Sequence, residues 1–515
     1  MADRKKMANT DDIIAPIGPP IDSHMAIDDH GAIDNHAARS TRLGIGTLAI
    51  YGSGMLVQDT LSIGLNSLLL FYLTIVCGMS GSIAGLALGF ALVADSFIDP
   101  LVGSISDNSR SRHGRRHPFM ILAAVPIAVG FGLLFSIPTQ LTGWGLFAFA
   151  MVMLMVVRVG LSVFQVPYIA LGAELSDDYT ERSTIVAARV LFTVVAGLAA
   201  AYLAYGVFLN GPGGVHNRAA YGPYAWTCGA LVLLGAAVSS FGTLGMRHRL
   251  HAAPEDNGGG VGRIVAEVVE VFRNRSFCIL FGSCLILFIG LGVATQLGLH
   301  ANTYFWKLQS PQILVITLTL SIGYFVGVFI AAALSRVWEK RSVALLGISL
   351  IGIGQVGPVS LKLAGLIPPG LDVPTLIIGA VCAGIGAASA LIGFQSMMAD
   401  AADEHEHLFG ARREGLYFAG ISFSAKASSG IGAIIAGIIL DLIAFPHGLD
   451  APGAPHVAIP LATIQKLAIF HGPGAAVITG VSVLILSLYR RGKRDHEEIR
   501  AALVAKRDGV GGAAA

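Results

Sequence analysis

The sequence predicts an all-α integral membrane protein with twelve transmembrane helices arranged in two halves of six. Of its 515 residues, 54% are hydrophobic and only 13% are charged, which is far more apolar than an average soluble chain. Apolar runs of about 20 residues, the length that crosses a bilayer core about 30 Å thick, recur twelve times after residue 43. The longest polar interruption in this region separates the first six runs from the last six.

The limits of these spans follow from where the apolar runs start and stop. The predicted spans of the first half lie near residues 45–76, 81–106, 119–138, 143–174, 184–208 and 223–246. Those of the second half lie near residues 276–304, 311–335, 342–364, 375–399, 415–444 and 466–489. Each run is long enough for a membrane helix, and the many glycines suit close helix packing in lipid.

The polar segments divide the chain into five parts. These are a cytoplasmic tail at 1–42, a six-helix bundle at 43–246, a cytoplasmic central loop at 247–275, a second six-helix bundle at 276–490 and a cytoplasmic tail at 491–515. The first tail is rich in Asp, Pro and Gly and lacks the apolar core of a secretory signal, so we expect it to be disordered. Helical apolar spacing over 262–273 predicts a short interfacial helix in the central loop.

Positive charge marks one side of the predicted membrane domain. Arginines and lysines concentrate in every second loop, whereas the alternate loops hold little more than Arg218, Lys307, Lys362 and Lys466. Because positive loops stay cytoplasmic, both termini are predicted to be cytoplasmic, in a bacterial-type inner membrane. The formal net charge is only +2, and the basic residues form no continuous patch, so we expect no nucleic-acid partner.

Two carboxylates lie within the second apolar run. Asp95 and Asp99 are four residues apart, so on a helix both project from one face and one cation could bridge them. Two carboxylates one turn apart repel each other unless a cation or a proton lies between them. Since charged groups at membrane depth are costly and usually functional, the pair predicts a cation site.

Charged residues also cluster where the spans meet the arginine-rich loops. Ion pairs that form in one conformation and break in another would set the balance between two states, for which a few kcal/mol is sufficient. We therefore interpret a set of these residues as a cytoplasmic gate. The set consists of Asp107, Arg110, Arg112, Arg115, Arg116, Asp400, Asp403, Arg412 and Glu414.

Four stretches together resemble a known family. They are YGSGMLVQD at 51–59, DSFIDPLVGSISDNSRSRHGRRHPF at 95–119, VPYIALGAELSDDYTERSTIVAAR at 166–189 and ADAADEHEHLFGARREGLYFAGISFSAKASSG at 399–430. In these stretches the chain resembles the glycoside-pentoside-hexuronide:cation symporters, the melibiose-carrier-like branch of the major facilitator superfamily. The resemblance implies the major facilitator fold and cation-coupled solute transport by alternating access.

The resemblance also implies roles for single residues. The residues that match the family's cation site are Asp95, Asp99 and Ser162. Asp59 matches the acidic residue that binds sugar hydroxyls, and Arg189 and Lys426 match two cationic positions that face the cavity. These three are therefore expected to bind substrate.

The chain departs from the sodium-using melibiose carriers at several of these positions. Ile98 stands where they have Asn, which removes an oxygen ligand and favours a proton over sodium as the coupling ion. Gln165 and Ile169 stand where they have Asp and Trp, which favours a different or less polar substrate. Arg158 shares a helix face with Gln165 and is also counted among the expected substrate-binding residues.

Each charged site has a structural interpretation as well. The acidic pair could hold the second helix to its neighbours by pairing with Arg158 or Arg189. Asp59 could balance Arg189 or Lys426, and Lys426 could be the charge partner of one acid. The residue pattern alone leaves these alternatives open.

The sequence therefore predicts a secondary transporter that moves a sugar or glycoside together with H+ or Na+. A non-sugar organic solute is the alternative substrate, and a non-transporting membrane receptor or scaffold is the alternative class. We expect no enzyme activity, cofactor or metal site, because neither a nucleophile with its base nor a phosphate loop is visible. The expected partners are the solute, the cation and the lipid bilayer, and we expect a monomer.

Overall fold

The computed structural model describes residues 43–246, 267–451 and 458–512, apart from 110, 112, 113, 177, 411 and 412. Every regular element in these residues is a helix, and twelve helices are long and apolar enough to span a membrane. The all-α membrane architecture is therefore confirmed. The predictions for the tail at 1–42, for residues 247–266, and for Arg110, Arg112 and Arg412 lie outside the described residues.

We number the spans α1 to α12 in chain order. Those of the first half are α1 Met55–Val76, α2 Gly81–Asp107, α3 His117–Leu134, α4 Gly143–Glu174, α5 Thr180–Asn210 and α6 Arg218–Leu244. Those of the second half are α7 Arg275–Phe305, α8 Ser310–Leu334, α9 Lys340–Leu363, α10 Asp372–Phe409, α11 Glu414–Leu442 and α12 Leu461–Ser487. A short helix, Ile45–Gly52, precedes α1, and α13, Lys493–Gly512, follows α12.

The helix limits agree with the predicted spans to within about five residues, except at the start of α1 and at the end of α10. The first span is predicted to begin at residue 45, but a turn at Ser53 and Gly54 separates the short helix Ile45–Gly52 from α1.

Helix α10 continues to Phe409, well beyond the predicted end at residue 399. The extension is polar, with the sequence DAADEHEH, and its left-handed C-cap is Gly410 with φ of 77°, a conformation that glycine adopts without strain. Asp400 and Asp403 consequently lie on the helix, where its last turns leave the apolar region.

The two halves repeat one pattern of helix packing. In the first half, α4 packs against α2 and α3, while α1 packs against α5 and α6. In the second half, α10 packs against α8 and α9, while α7 packs against α11 and α12. Each pair in one half thus has its counterpart six helices along the chain, which is the internal repeat found in many transporter folds.

The main contact between the halves is the crossing of α2 and α11. Glycines lie at the crossing on both helices, with Gly81 and Gly85 facing Gly437. A Cβ atom at Gly437 would lie 2.2 Å from the carbonyl oxygen of Gly81, so no other residue fits without moving a backbone. Small residues at such crossings allow the closest packing of membrane helices.

The carboxylate of Asp441, near the end of α11, caps the first turn of α2. Its Oδ1 accepts a hydrogen bond from the Gly81 N–H at 2.8 Å, and its Oδ2 accepts one from the Ser82 N–H at 2.8 Å. The first amides of a helix have no acceptors within the helix, and a carboxylate there also interacts favourably with the helix dipole. A residue of the second half therefore completes a helix of the first half.

Different ion pairs hold the bundle together at its two ends. We call the end that carries Arg115, Arg116 and Lys340 the arginine-rich end, and the other the opposite end. At the opposite end, His216 Nδ1 lies 2.7 Å from Asp450 Oδ2, which joins the first half to the second. The ion pairs described at the arginine-rich end instead join elements of one half, as Arg116 does with Asp107 and Glu174.

The close contact at Gly437 predicts that even a methyl side chain at this position lowers the stability of the protein. Gly437→Ala inserts a methyl group against the backbone of α2, and overpacking of this kind costs about 1–3 kcal/mol. We expect a lower midpoint of thermal unfolding for the purified protein in detergent.

The matched control is Gly352→Ala on α9, where no atom of the described residues lies within 4 Å of the added Cβ. That substitution should leave the midpoint unchanged or raise it, because alanine favours helix over glycine. Equal midpoints for the two variants would contradict the close α2–α11 contact.

Candidate functional site

The acidic pair of α2 meets a lysine from the other half of the molecule. Lys426 Nζ, on α11, lies 3.0 Å from Asp95 Oδ2 and 2.5 Å from Asp99 Oδ2. The Asp95 side chain is buried, whereas that of Asp99 is 29% exposed. The ammonium group therefore bridges both carboxylates and occupies the position where the sequence predicts a bound cation.

Two residues of α4 complete this cluster. The Ser162 hydroxyl donates a hydrogen bond of 2.5 Å to Asp95 Oδ1. Arg158, one turn earlier, interacts electrostatically with Asp95, and its buried Nε meets no hydrogen-bond acceptor in the described ranges. The cluster thus combines two carboxylates with two cations, which limits the cost of burying charge.

One carboxylate oxygen of the cluster has no hydrogen-bond partner among the described residues. Asp99 Oδ1 is buried and accepts no hydrogen bond, although the same carboxylate contacts Lys426 through Oδ2. A buried carboxylate oxygen without a donor is unfavourable, and protonation or a bound ion would relieve that cost. The cluster is therefore chemically suited to take up a proton or a small cation.

Helix α11 brings Lys426 to this place because its glycines let it approach α2 closely. The sequence placed Lys426 among the substrate-binding residues and, as a structural alternative, beside one acid. The structure places its ammonium group between both acids. The alternative in which Arg189 pairs with the acidic pair is not the arrangement seen.

A second polar group lies between α1, α4 and α5. Asp59 on α1 interacts with Thr193 of α5, and its Oδ2 is buried without a hydrogen-bond partner in the part of the chain that the structure describes. Gln165 Nε2 on α4 lies 3.8 Å from the sulfur of Met55, while its Oε1 has no partner. These unpaired oxygens are acceptors that a hydroxylated ligand would satisfy.

A pair of tyrosines lies beside this group. The rings of Tyr51 and Tyr168 stack with centroids 4.7 Å apart, and Tyr168 donates a 2.9 Å hydrogen bond to the Tyr51 carbonyl. Arg189 interacts with the Tyr51 hydroxyl. Ile169, which directly follows Tyr168 in the chain, is 44% exposed.

Sequence reasoning assigned no role to these two tyrosines, although both lie in stretches that carry the family resemblance. The available signal was the small residues around them. A Cβ atom at Gly54 would lie 2.3 Å from the Tyr168 ring, and one at Gly172 would lie 2.0 Å from the Tyr51 hydroxyl. Glycine at these positions makes room for the stacked pair.

Five residues of the predicted gate form ion pairs within their own half, namely Asp107, Arg115, Arg116, Asp400 and Asp403. In the first half, Arg115 and Arg116 both contact Glu174, and Arg116 lies 3.2 Å from Asp107. These contacts join α2, α3 and α4 in the conformation seen.

The second half shows a corresponding arrangement. Lys340 Nζ lies 2.7 Å from Asp400 Oδ1, and His496 of α13 lies 3.2 Å from Asp400 and 3.9 Å from Asp403. Glu414 begins α11. The sequence identified the acids but not Lys340 and His496 as their partners.

The described residues form twelve helices that can span a membrane, in two repeated halves with a charge cluster where the halves meet, which is the architecture of a multi-pass membrane transporter. Residues 50–491 match the family model described as MFS/sugar transport protein, and the chain belongs to this family. The resemblance to the glycoside-pentoside-hexuronide:cation symporters is thereby confirmed, and the family consists of transporters rather than enzymes.

Individual proteins agree with this assignment. The chain is 24% identical to an uncharacterized symporter of Synechocystis over 90% of this chain and 97% of the relative. It is 27% identical to the isoprimeverose transporter of Lactiplantibacillus pentosus over 73% of this chain and 75% of the relative. A solved D-xylose–proton symporter matches with a TM-score of 0.59 at 13% identity, covering 87% of this chain and 97% of that one, which shows the shared fold.

The bridge predicts that Lys426 and the acids depend on each other energetically. Lys426→Met leaves two carboxylates one turn apart without their shared cation, which should lower the free energy of unfolding by about 2 kcal/mol. The double variant Asp95→Asn/Lys426→Met should recover part of that loss. Thermal unfolding of all variants in detergent measures both effects as a double-mutant cycle.

The control is Lys493→Met, which removes an exposed ion pair between Lys493 and Glu497 on α13. Such surface pairs contribute less than about 0.5 kcal/mol. Additive effects of the two substitutions at the cluster would contradict the bridge.

Proposed function

We propose that the chain is a symporter that moves a sugar or glycoside together with a cation by alternating access. The observation that carries the proposal is the Lys426 bridge to Asp95 and Asp99. It links the two halves at membrane depth through groups whose charge changes when a proton or a cation binds. A charge link between moving halves couples ion binding to conformation.

Coupling works through competition for the acidic pair. A cation that binds the carboxylates must displace the ammonium group, and a proton on Asp99 removes the charge that holds it. Either event weakens the contact between α2 and α11. A change of a few kcal/mol is sufficient to shift a two-state conformational equilibrium strongly.

We favour the proton as the coupling ion, with sodium as the alternative. Sodium needs several oxygen ligands, and Ile98 supplies none where a sodium-using relative of the melibiose type has Asn. A proton needs no such set of ligands, and Asp99 Oδ1 has no hydrogen-bond partner among the described residues that a proton would have to displace.

The substrate site that we propose lies around Asp59, with Arg158, Gln165, Ile169 and Arg189 as further contacts. A carboxylate that accepts hydrogen bonds from two vicinal hydroxyls grips a polyol specifically. The unpaired Asp59 Oδ2 supports this role, as does the likeness to an isoprimeverose transporter.

One observation favours a second candidate, a less polar organic solute moved by the same mechanism. Ile169 presents an exposed alkyl side chain where an aromatic ring would stack on a sugar. A purely aliphatic contact discriminates weakly between a sugar face and another apolar surface.

The proposed location is an inner membrane with both termini in the cytoplasm, where the arginine-rich end would face. The opposite end, where His216 and Asp450 join the halves, would then be the outer one. The state described here would therefore be closed to the outside. The predicted gate residues would exchange their partners within each half for partners across the halves when the inner side closes. We propose that the protein acts as a monomer with no resident cofactor.

Gradient-driven uptake tests the proposal. Purified protein in proteoliposomes is screened with labelled sugars and unrelated solutes under imposed proton or sodium gradients. We expect accumulation driven by the proton gradient, lost in Asp99→Asn, while exchange of labelled for unlabelled solute persists in that variant. Accumulation that requires sodium and ignores the proton gradient would refute proton coupling, and failure of every solute to accumulate would favour a receptor.

Substrate recognition is tested at Asp59. Asp59→Asn keeps the size of the side chain but halves its capacity to accept hydrogen bonds from hydroxyls. We expect loss of uptake while the protein remains inserted and monodisperse. Asp495→Asn on α13, which removes a carboxylate outside the spans, is the control, and unchanged transport by Asp59→Asn would rule out the proposed role.

A further inference from the structure

A cavity of about 380 Å³ lies at the arginine-rich end of the second half, away from both polar groups described above. Its walls are the segment between α8 and α9, the polar end of α10, the residues after α12, and α13. The described residues that line it include none of the predicted cation- or substrate-binding residues. The cavity is thus distinct from the proposed cation and substrate sites, although Asp400 of the predicted gate lines it as well.

Two acids of this cavity are already neutralised. Lys340 Nζ lies 2.7 Å and 2.8 Å from the two oxygens of Asp400. Arg491 Nη2 lies 2.8 Å from Glu404 Oε1 and its Nε lies 3.2 Å from the same oxygen. These four residues therefore contribute no net charge to the cavity.

Three further arginines line the cavity without a carboxylate partner among the described residues. Arg336 and Arg500 are exposed, and Arg341 donates only to the Ser487 carbonyl, at 2.9 Å, while its Nε is buried without an acceptor. Among the described lining residues, Glu339 is the one acid without an ion pair. The cavity therefore holds an excess of positive charge in the form of guanidinium groups.

Guanidinium groups identify the class of ligand. Their planar array of donors matches the paired oxygens of a phosphate, and they are less strongly hydrated than ammonium groups. Three of them around one space, with a buried N–H that lacks an acceptor, are suited to a phosphate-bearing anion.

The surroundings of the cavity identify the source of the phosphate. The segment between α8 and α9 exposes Val337 to 82% and Trp338 to 48%, and Leu488 after α12 is 54% exposed. Apolar side chains and tryptophan beside cations, at the end of membrane spans, are typical of the bilayer interface. Basic pockets between spans at that level bind lipid headgroups. A soluble anion would give no reason for the exposed apolar residues.

We propose that this cavity binds the phosphate headgroup of an anionic phospholipid from the adjacent leaflet. The acyl chains lie along the outer face of α8, where Phe325 and Phe329 are 57% and 62% exposed. Arg500 on α13 and Arg336 before α9 both contact the headgroup. The bound lipid therefore holds the C-terminal helix against the second half, independently of whether the protein transports.

Lipid retention tests the proposal on the full chain. The protein is reconstituted in vesicles of phosphatidylcholine with phosphatidylglycerol, extracted in mild detergent, and its bound lipids are counted by native mass spectrometry. We expect phosphatidylglycerol to be retained in preference to phosphatidylcholine, and Arg336→Gln/Arg500→Gln to reduce its retention several-fold. Both side chains are exposed, so the variant is expected to fold, and its elution as a single species verifies this.

Arg494→Gln is the matched control, because Arg494 is an exposed arginine of α13 outside the cavity lining. It should retain phosphatidylglycerol like the unchanged protein. Equal loss in the control and in the double variant would overturn the site, as would equal retention of the two lipids. In a separate arm, thermal stabilisation by inorganic phosphate that matches stabilisation by phosphatidylglycerol would assign the cavity to a soluble anion and overturn the lipid proposal.

Discussion

The arrangement of the molecule depends on one ammonium group between two carboxylates. Lys426 cannot reach Asp95 and Asp99 unless α2 and α11 approach to backbone contact, and the glycines at their crossing make that approach possible. The approach in turn places two carboxylates and a lysine in a region where unpaired charge would be expensive. Packing and electrostatics therefore depend on each other at this crossing.

This interdependence gives the interface two components of different character. Van der Waals contact along the glycines is insensitive to pH and to ions, whereas the lysine bridge changes with the charge of Asp99. The first component holds the crossing together, and the second makes its strength adjustable. In the proposed mechanism only the second needs to change for the halves to move.

The helices were predictable because the signal for a membrane span is local. Length, hydropathy and the side on which arginines lie can all be read along the chain, and every span was found. The end of α10 was misplaced because hydropathy reports where the bilayer ends, while DAADEHEH continues as helix beyond it. Asp95 and Asp99 could be recognised for the same local reason, since a spacing of four residues places both on one face.

The sequence offered Lys426 as a charge partner of one acid, but it could not select this contact from the alternatives in the same local way. The contact between Asp99 and Lys426 joins distant parts of the chain, and it exists only through the crossing of α2 and α11. The stacking of Tyr51 on Tyr168 likewise requires that α4 lie beside the helix that precedes α1. Charge patterns identified the arginine-rich end, but not which acid each arginine would meet there.

The cap that Asp441 places on α2 has a consequence for the energy of opening. The amides of Gly81 and Ser82 have their acceptors on the other half. If the halves separate at the opposite end of the bundle, these amides lose their acceptors and are hydrated instead. A lost N-cap costs a helix about 1 kcal/mol, and the first turn of α2 then frays more readily. The helical order of the first turn of α2 therefore indicates whether the two halves are in contact at the opposite end.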